Sequence, residues 1–169
     1  MFNQGEIWGY PTDTSFGLGV RIDDINGLQN LTKLKGGRED KFFSIMCKDE
    51  DMLREYAHVP DNLDLHTFFF KKPRTIILES KDTLPKTPFW PKNKVAFRIN
   101  TIPELSAHIT IPVTATSANI SGEPPIYTTQ KLKEVFNERI HVADLIPHLP
   151  ETPSSEIWDY TENPPKQIR

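Results

Sequence analysis

Short apolar runs alternate with amphipathic stretches along the chain, which predicts strands interspersed with helices. Residues 6–10 and 16–20 are short runs punctuated by glycine and followed by turn formers, as strands commonly are. Apolar residues then recur at helical spacing over residues 25–34, and Asp23 or Asp24 can cap that helix. The pattern indicates an α/β or α+β fold.

The rest of the chain continues this alternation. Further strands are predicted at residues 42–47, 75–78, 95–99, 111–116, 140–143 and 157–160. Further helices are predicted after Asp49, over residues 61–70 and after Thr128 or Thr129. The Pro-rich residues 84–92 are predicted to form an exposed loop, and no repeat or linker divides the chain. We expect a single domain over residues 1–169.

Composition narrows the class of protein. The chain has 169 residues, 37% of them hydrophobic, and no apolar run reaches the roughly 18 residues of a membrane-spanning helix. One cysteine excludes an intramolecular disulfide framework, and the start lacks a secretion signal, so we expect a cytoplasmic protein. A net charge of −3 argues against a surface built throughout for nucleic acid, but leaves a local basic patch open.

Two early segments are candidates for chemistry. Residues 10–19 place hydroxyls after a strand, where open α/β sheets bind ligands, although a plain Ser/Thr turn explains them too. Residues 33–41 place several cations and two glycines beyond a helix, which suits an anion or simply a solvated helix end. The common phosphate-loop, nucleophile-elbow and zinc motifs are absent, and the five histidines are not at ligand spacing.

Two later segments add to these candidates. Arg98 interrupts an apolar strand, so it either forms a salt bridge or reaches a ligand carboxylate with its planar fork. Residues 114–125 place small and polar side chains after a strand, including an asparagine that both donates and accepts hydrogen bonds.

In this order the segments resemble the YrdC-like family of threonylcarbamoyl-AMP synthases, over residues 7–169. The most specific pieces are Tyr-Pro-Thr-Asp-Thr-x-Phe-Gly-Leu-Gly at residues 10–19 and Thr-Ser-Ala-Asn-x-Ser-Gly at residues 116–122. The resemblance implies an α/β twisted open sheet of mixed parallel and antiparallel strands, flanked by helices, with a basic concave pocket.

The resemblance also implies an activity. Members of this family are nucleotidyltransferases that make L-threonylcarbamoyladenylate and pyrophosphate from ATP, L-threonine and bicarbonate with Mg²⁺. A downstream tRNA threonylcarbamoyl-transfer complex then modifies tRNA position 37. The alternative is a catalytically weak member that binds nucleotide or double-stranded RNA through the cations of residues 33–41 and 71–74. A paralogue that makes another carbamoyl-adenylate is a third reading.

Site residues follow from their positions in the family motifs. Those implied to contact threonine are Thr14, Arg98, Ser117 and Ser155. Those implied to contact the nucleotide are Lys35, Arg38, Lys41, Asn119 and Arg169. Lys35 and Arg38 are also implied as catalytic cations, and no residue is implied as a metal ligand.

The sequence departs from the family pattern at several points. The family's Lys-x-Arg-Pro is Lys-Gly-Gly-Arg-Glu at residues 35–39, and Trp-Pro-Gly-Pro-x-Thr is Phe-Lys-Lys-Pro-Arg-Thr at residues 70–75. Met46 stands where several members carry a histidine. The usual first helix is missing, which predicts either uncovered apolar sheet surface that invites a partner or a homodimer, or a shortened start. We expect a monomer or a homodimer.

Overall fold

The structure, a computed structural model, describes residues 1–37, 42–120 and 122–169, and the strands within them form one sheet. These strands are β1 (Trp8–Pro11), β2 (Phe16–Gly19), β3 (Ser44–Cys47), β4 (Ala57–His58), β5 (Arg74–Ser80), β6 (Lys94–Ile99), β7 (Val113–Ser117), β8 (His141–Val142), β9 (Glu156–Asp159) and β10 (Lys166–Gln167). The helices are α1 (Ile25–Leu34), α2 (Glu50–Tyr56), α3 (Leu65–Phe70), α4 (Pro103–Ser106) and α5 (Thr129–Phe136), followed by a 3₁₀ turn (Asn137–Arg139).

The sheet mixes both strand directions, as predicted. Its order is β10, β9, β5, β6, β3, β7, β2, β1 and β8, and β4 pairs with β5 outside this path. The pairs β3–β6, β5–β9 and β1–β8 are parallel, whereas β1–β2, β2–β7, β3–β7 and β5–β6 are antiparallel. Segments that are far apart in the sequence therefore become neighbours in the centre of the sheet.

The first helix, α1, forms over the predicted residues. The Asp24 carboxylate accepts a hydrogen bond from the Gly27 N–H at 2.9 Å and caps α1, as predicted. Leu28 and Leu31 are buried, whereas Ile25 is 45% exposed and does not belong to the apolar face predicted for it. The helix ends at Leu34, which leaves the following lysine at its C-terminus.

Several element boundaries differ from the prediction, and at two of them local hydrogen bonds compete with regular structure. The strand predicted over residues 42–47 begins at Ser44, since the Phe43 N–H donates to the carbonyl of Phe89 in a loop. The helix predicted over residues 61–70 begins at Leu65, after the Asp64 cap. The predicted caps Asp49 and Thr128 are confirmed.

The segment at residues 84–92 is less exposed than predicted. Leu84 and Trp90 are buried, and the Trp90 indole N–H donates to the Pro85 carbonyl at 3.0 Å. The loop therefore contributes Leu84 and Trp90 to the main hydrophobic core. Three short elements, β4, α4 and β10, were not predicted, because two to four residues carry too little periodicity to be recognised.

The first residues of the chain cover part of the sheet. Phe2 is buried, with its ring 5.5 Å from that of Tyr10 and 6.0 Å from that of Trp8. At β1 the chain itself thus occupies apolar surface that was predicted to be uncovered. Within the described residues, no helix has the length and apolar character needed to span a bilayer.

Close packing between strands explains one glycine of the motif at residues 10–19. A Cβ atom on Gly19 would lie 2.6 Å from the Thr114 carbonyl oxygen and 2.7 Å from the Tyr10 ring. Both neighbours are fully buried and cannot move aside easily. Gly19 therefore allows β1, β2 and β7 to lie close together beneath the site.

Candidate active site

A cavity of about 430 Å³ brings together segments that are widely separated in the sequence. Predicted site residues in its lining are Thr14, Arg98, Ser117, Asn119, Ser155 and Arg169. Their side chains are hydroxyls, one amide and two guanidinium groups, a set that suits carboxylate and phosphate groups. A larger cavity of about 630 Å³ is lined by residues 80–93 alone and contains none of the predicted site residues.

The hydroxyl-rich turn is fixed by its own hydrogen bonds. Thr12 Oγ1 donates to the Ser15 carbonyl at 2.7 Å and accepts from the N–H groups of Thr14 and Ser15 at 3.2 and 3.3 Å. Thr14 Oγ1 lies 3.1 Å from Thr12 Oγ1. The segment is therefore a Ser/Thr turn and also a wall of the cavity, so the two interpretations of the sequence are compatible.

Arg98 both forms a salt bridge and lines the cavity. Its Nη2 group donates to the Asp13 carboxylate, and its Nη1 lies 3.5 Å from Ser155 Oγ. Sequence reasoning gave no role to Asp13. The signal was present, because Asp13 is the only acidic residue in the motif at residues 10–19 and a buried arginine needs a partner.

Ser155 lines the cavity as one of a pair of buried hydroxyls. Its Oγ is 2.9 Å from Thr75 Oγ1, and its carbonyl accepts from Arg169 Nε at 3.1 Å. The backbone of Arg169 is held in turn by the Ile157 N–H, which donates to the Arg169 carbonyl at 2.9 Å. Thr75 was also missed, although a hydroxyl within an otherwise apolar strand was a signal for it.

Lys35 joins the end of α1 to the loop after β7. Its Nζ donates to the carbonyls of Ser117 and Asn119 at 2.6 and 2.7 Å and to Asn119 Oδ1 at 3.0 Å. Asn119 Oδ1 also accepts from Ser117 Oγ at 2.6 Å, and Asn119 Nδ2 donates to the Glu123 carbonyl. Lys35 thereby orders a loop that contributes two of the cavity's polar side chains.

Not every predicted site residue can be placed in the cavity. Arg38 and Lys41 lie outside the described residues. Met46, at the position where several family members carry a histidine, is buried in a cluster with Tyr10 and is not part of the cavity lining.

Tyr10 forms part of the cavity floor. Its ring is fully buried, and its hydroxyl donates to the Thr114 carbonyl at 2.7 Å. Burial raises the pKa of the Tyr10 phenol far above its usual range, against a smaller opposing effect of the Arg98 charge. Tyr10 is therefore a neutral packing group and not a proton acceptor at ordinary pH.

Glu156 pairs with two of the three cations of residues 71–74. Its carboxylate accepts from Arg74 Nε at 2.9 Å, from Trp158 Nε1 at 3.2 Å and from Lys72 Nζ at 3.1 Å. These donors lower the pKa of Glu156 to about 2, with Arg74 as the largest cause. Two cations of this cluster are thus already paired with a carboxylate.

The titration of Glu156 tests this arrangement. We expect its carboxyl ¹³C resonance to titrate with a midpoint near pH 2, and Arg74→Ala to raise that midpoint more than Lys72→Ala does. Because the folded-state pKa lies below the ordinary value of 4.5, the carboxylate stabilises the fold above that pH, and the contribution is lost as pH falls toward 2. If Arg74→Ala left the Glu156 midpoint unchanged, the contact between Arg74 and Glu156 would be contradicted.

Comparison with known proteins identifies the family. A family model described as "Telomere recombination" (Sua5/yciO/yrdC) matches residues 1–169. The chain belongs to the Sua5/YciO/YrdC family. The predicted family and the predicted α/β mixed sheet are therefore confirmed.

Several relatives carry the name of an enzyme. The threonylcarbamoyl-AMP synthase of Buchnera aphidicola is 28% identical over 152 residues, which cover 82% of this chain and 83% of that protein. The uncharacterized protein YciO of Escherichia coli is 26% identical over 178 residues, which cover all of this chain and 84% of YciO.

A solved structure from the Sua5/YciO/YrdC family contains an amino acid. The crystal structure of P. abyssi Sua5 complexed with L-threonine superposes with a TM-score of 0.83 at 27% sequence identity. The match covers 98% of this chain but only 50% of that protein.

Proposed function

We propose that this protein is a threonylcarbamoyl-AMP synthase, which makes L-threonylcarbamoyladenylate and pyrophosphate from ATP, L-threonine and bicarbonate. The observation that carries the proposal is the single cavity that gathers Thr14, Arg98, Asn119, Ser155 and Arg169 in a chain of this family. Relatives that bear the name of this synthase, and the threonine-bound Sua5 structure, support the choice of reaction.

The chemistry suits a site without a protein nucleophile. The amino group of threonine attacks the carbon of bicarbonate and water is lost, which leaves a carbamate. A carbamate oxygen then attacks the α-phosphorus of ATP, and the bond to pyrophosphate breaks. This displacement needs positioned donors that stabilise developing charge, rather than covalent catalysis.

We divide the candidate site residues between the two substrates, threonine and the nucleotide. We assign Arg98, Thr14, Ser117 and Ser155 to the threonine end, where a guanidinium can hold a carboxylate. We assign Asn119 and Arg169, together with Arg38 and Lys41, to the nucleotide. Lys35 acts here through the loop that it orders, alongside the catalytic role implied by the family motif.

The described residues contain no group of three or more His, Cys, Asp or Glu side chains that could hold a metal ion. Mg²⁺ commonly binds through substrate phosphates and few protein ligands, so it would be held chiefly by ATP, whose charge it offsets.

The product would pass to a tRNA threonylcarbamoyl-transfer complex that modifies position 37. The pairing of Lys72 and Arg74 with Glu156 weakens the case for RNA binding through residues 71–74.

Pyrophosphate release by the purified protein tests this proposal. With ATP and Mg²⁺, we expect release only when both L-threonine and bicarbonate are present. Asn119→Ala removes the side chain that links Ser117, Lys35 and Glu123, so we expect release to fall about 10- to 100-fold. The control is Asn93→Ala, which changes an exposed asparagine outside this cavity.

Other outcomes point elsewhere. ATP binding without pyrophosphate release would favour the nucleotide- or RNA-binding alternative, which RNA affinity measured across a salt series would test. Release that needs bicarbonate but not threonine would indicate that an oxygen of bicarbonate itself attacks the α-phosphorus and displaces pyrophosphate, with no threonine carbamate formed.

A further inference from the structure

Asp13 and Arg98 form an ion pair at the cavity, and both side chains are largely buried. Arg98 belongs to the cavity lining, whereas Asp13 does not, although the neighbouring residues Thr12 and Thr14 do. The Arg98 and Asp13 side chains are only 14% and 20% exposed, so water screens this pair far less than a surface pair. Eighty-five residues separate the two partners in the sequence, and only the folded sheet brings them together.

Asp13 is itself rigidly placed. It lies in the turn that Thr12 Oγ1 closes through its bonds to the backbone of Thr14 and Ser15. A carboxylate on a fixed turn restricts the rotation of a long arginine side chain, which otherwise has many rotamers. The turn thus sets where the guanidinium lies.

The contacts also set how the guanidinium is oriented. Asp13 accepts from Nη2, and Ser155 Oγ lies at the limit of hydrogen-bond distance from Nη1. A guanidinium carries five N–H donors in one plane, so two anchored nitrogens fix the direction of the remaining donors. A ligand carboxylate would meet a preoriented fork, and not a mobile cation.

We propose that Asp13 is a positioning residue that holds Arg98 for the carboxylate of the amino-acid substrate, which rests on the proposed function. In this proposal Asp13 does not contact the substrate and acts through Arg98. It also offsets the charge of Arg98, so the site favours a carboxylate of matching geometry over small anions in general.

Steady-state kinetics of pyrophosphate release test this proposal with Asp13→Asn. We expect the KM for L-threonine to rise at least about tenfold, the KM for ATP to stay near that of the wild type, and Asp13→Glu to recover part of the loss. The control is Asp23→Asn, which removes a comparable pair, Asp23–Arg21, whose atoms lie 2.6 Å apart outside the cavity. It should leave both KM values unchanged.

A double-mutant cycle separates positioning from a general structural role. If Asp13 acts through Arg98, adding Asp13→Asn to Arg98→Ala should cause little further loss in kcat/KM for threonine. The proposal would be overturned if Asp13→Asn lowered kcat/KM for threonine by the same factor in the presence and absence of Arg98. It would also be overturned if Asp13→Asn raised the KM for both substrates equally.

The same assay distinguishes two kinds of failure. Wild-type turnover combined with a wild-type KM for threonine in Asp13→Asn overturns this inference alone. A wild-type protein that neither binds L-threonine in calorimetry nor releases pyrophosphate overturns the proposed function, and the role of Asp13 with it.

Discussion

Replacing Arg98 with alanine is expected to lower kcat/KM for L-threonine by about 100- to 1000-fold, the range found when one preorganised hydrogen-bond donor is removed from an active site. The reason is the position of Arg98 in the cavity, anchored by Asp13 and close to Ser155. The measurement is initial-rate pyrophosphate release over a threonine titration. Arg98→Lys keeps the charge without the planar fork, so its activity should lie between those of Arg98→Ala and the wild type.

A matched control is available on the same strand. Lys94→Ala removes an exposed ion pair with Glu162, whose atoms lie 3.0 Å apart, and should leave the kinetics unchanged. Thermal unfolding of each variant would show that the fold is retained. A wild-type kcat/KM for threonine in Arg98→Ala would show that Arg98 does not bind threonine.

Replacing Phe97 with alanine is expected to lower the free energy of unfolding by about 3–5 kcal/mol, the usual cost of deleting a buried aromatic ring. Phe97 is fully buried on β6, where it pairs with Ile45 on β3 and Ile76 on β5. Its loss would leave a cavity in the centre of the sheet, which the neighbouring strands cannot close. Equilibrium urea unfolding, with comparison of the m-values, measures the effect.

Phe70→Ala is the control for this substitution. Phe70 is 52% exposed, so removing its ring should cost only a small fraction of that free energy. Equal losses from the two variants would mean that Phe97 does not lie at the core. Phe97 and Arg98 are consecutive residues, and the alternation of side chains along β6 sends one into the core and the other to the cavity.

Local features of the fold could be predicted because local forces determine them. The carboxylate and hydroxyl caps at Asp24, Asp49 and Thr128 satisfy N–H groups only three residues away, so a short stretch of sequence contains the whole interaction. Among the boundaries that were missed, the one at Ser44 depends on the Phe43 bond to a distant loop, and the one at Leu65 depends on a choice among several possible caps.

The candidate site could be predicted only in part. Motifs indicated Thr14, Arg98, Asn119 and Ser155 one at a time, and the cavity contains all of them. The partner of Arg98 could not be chosen, because an arginine in an apolar strand requires a carboxylate but does not specify which of the 23 acidic residues supplies it.

The sequence by itself determined the family, the alternation of strands and helices, and the polar side chains available for chemistry, since each is encoded in a short segment. The tertiary structure alone decided that Asp13 meets Arg98 and that Lys35 orders the loop at Ser117. Both contacts join residues more than 80 positions apart, and they form only because β6, β3, β7 and β2 are neighbours in the sheet. Strand order depends on packing across the whole core, which no local pattern specifies.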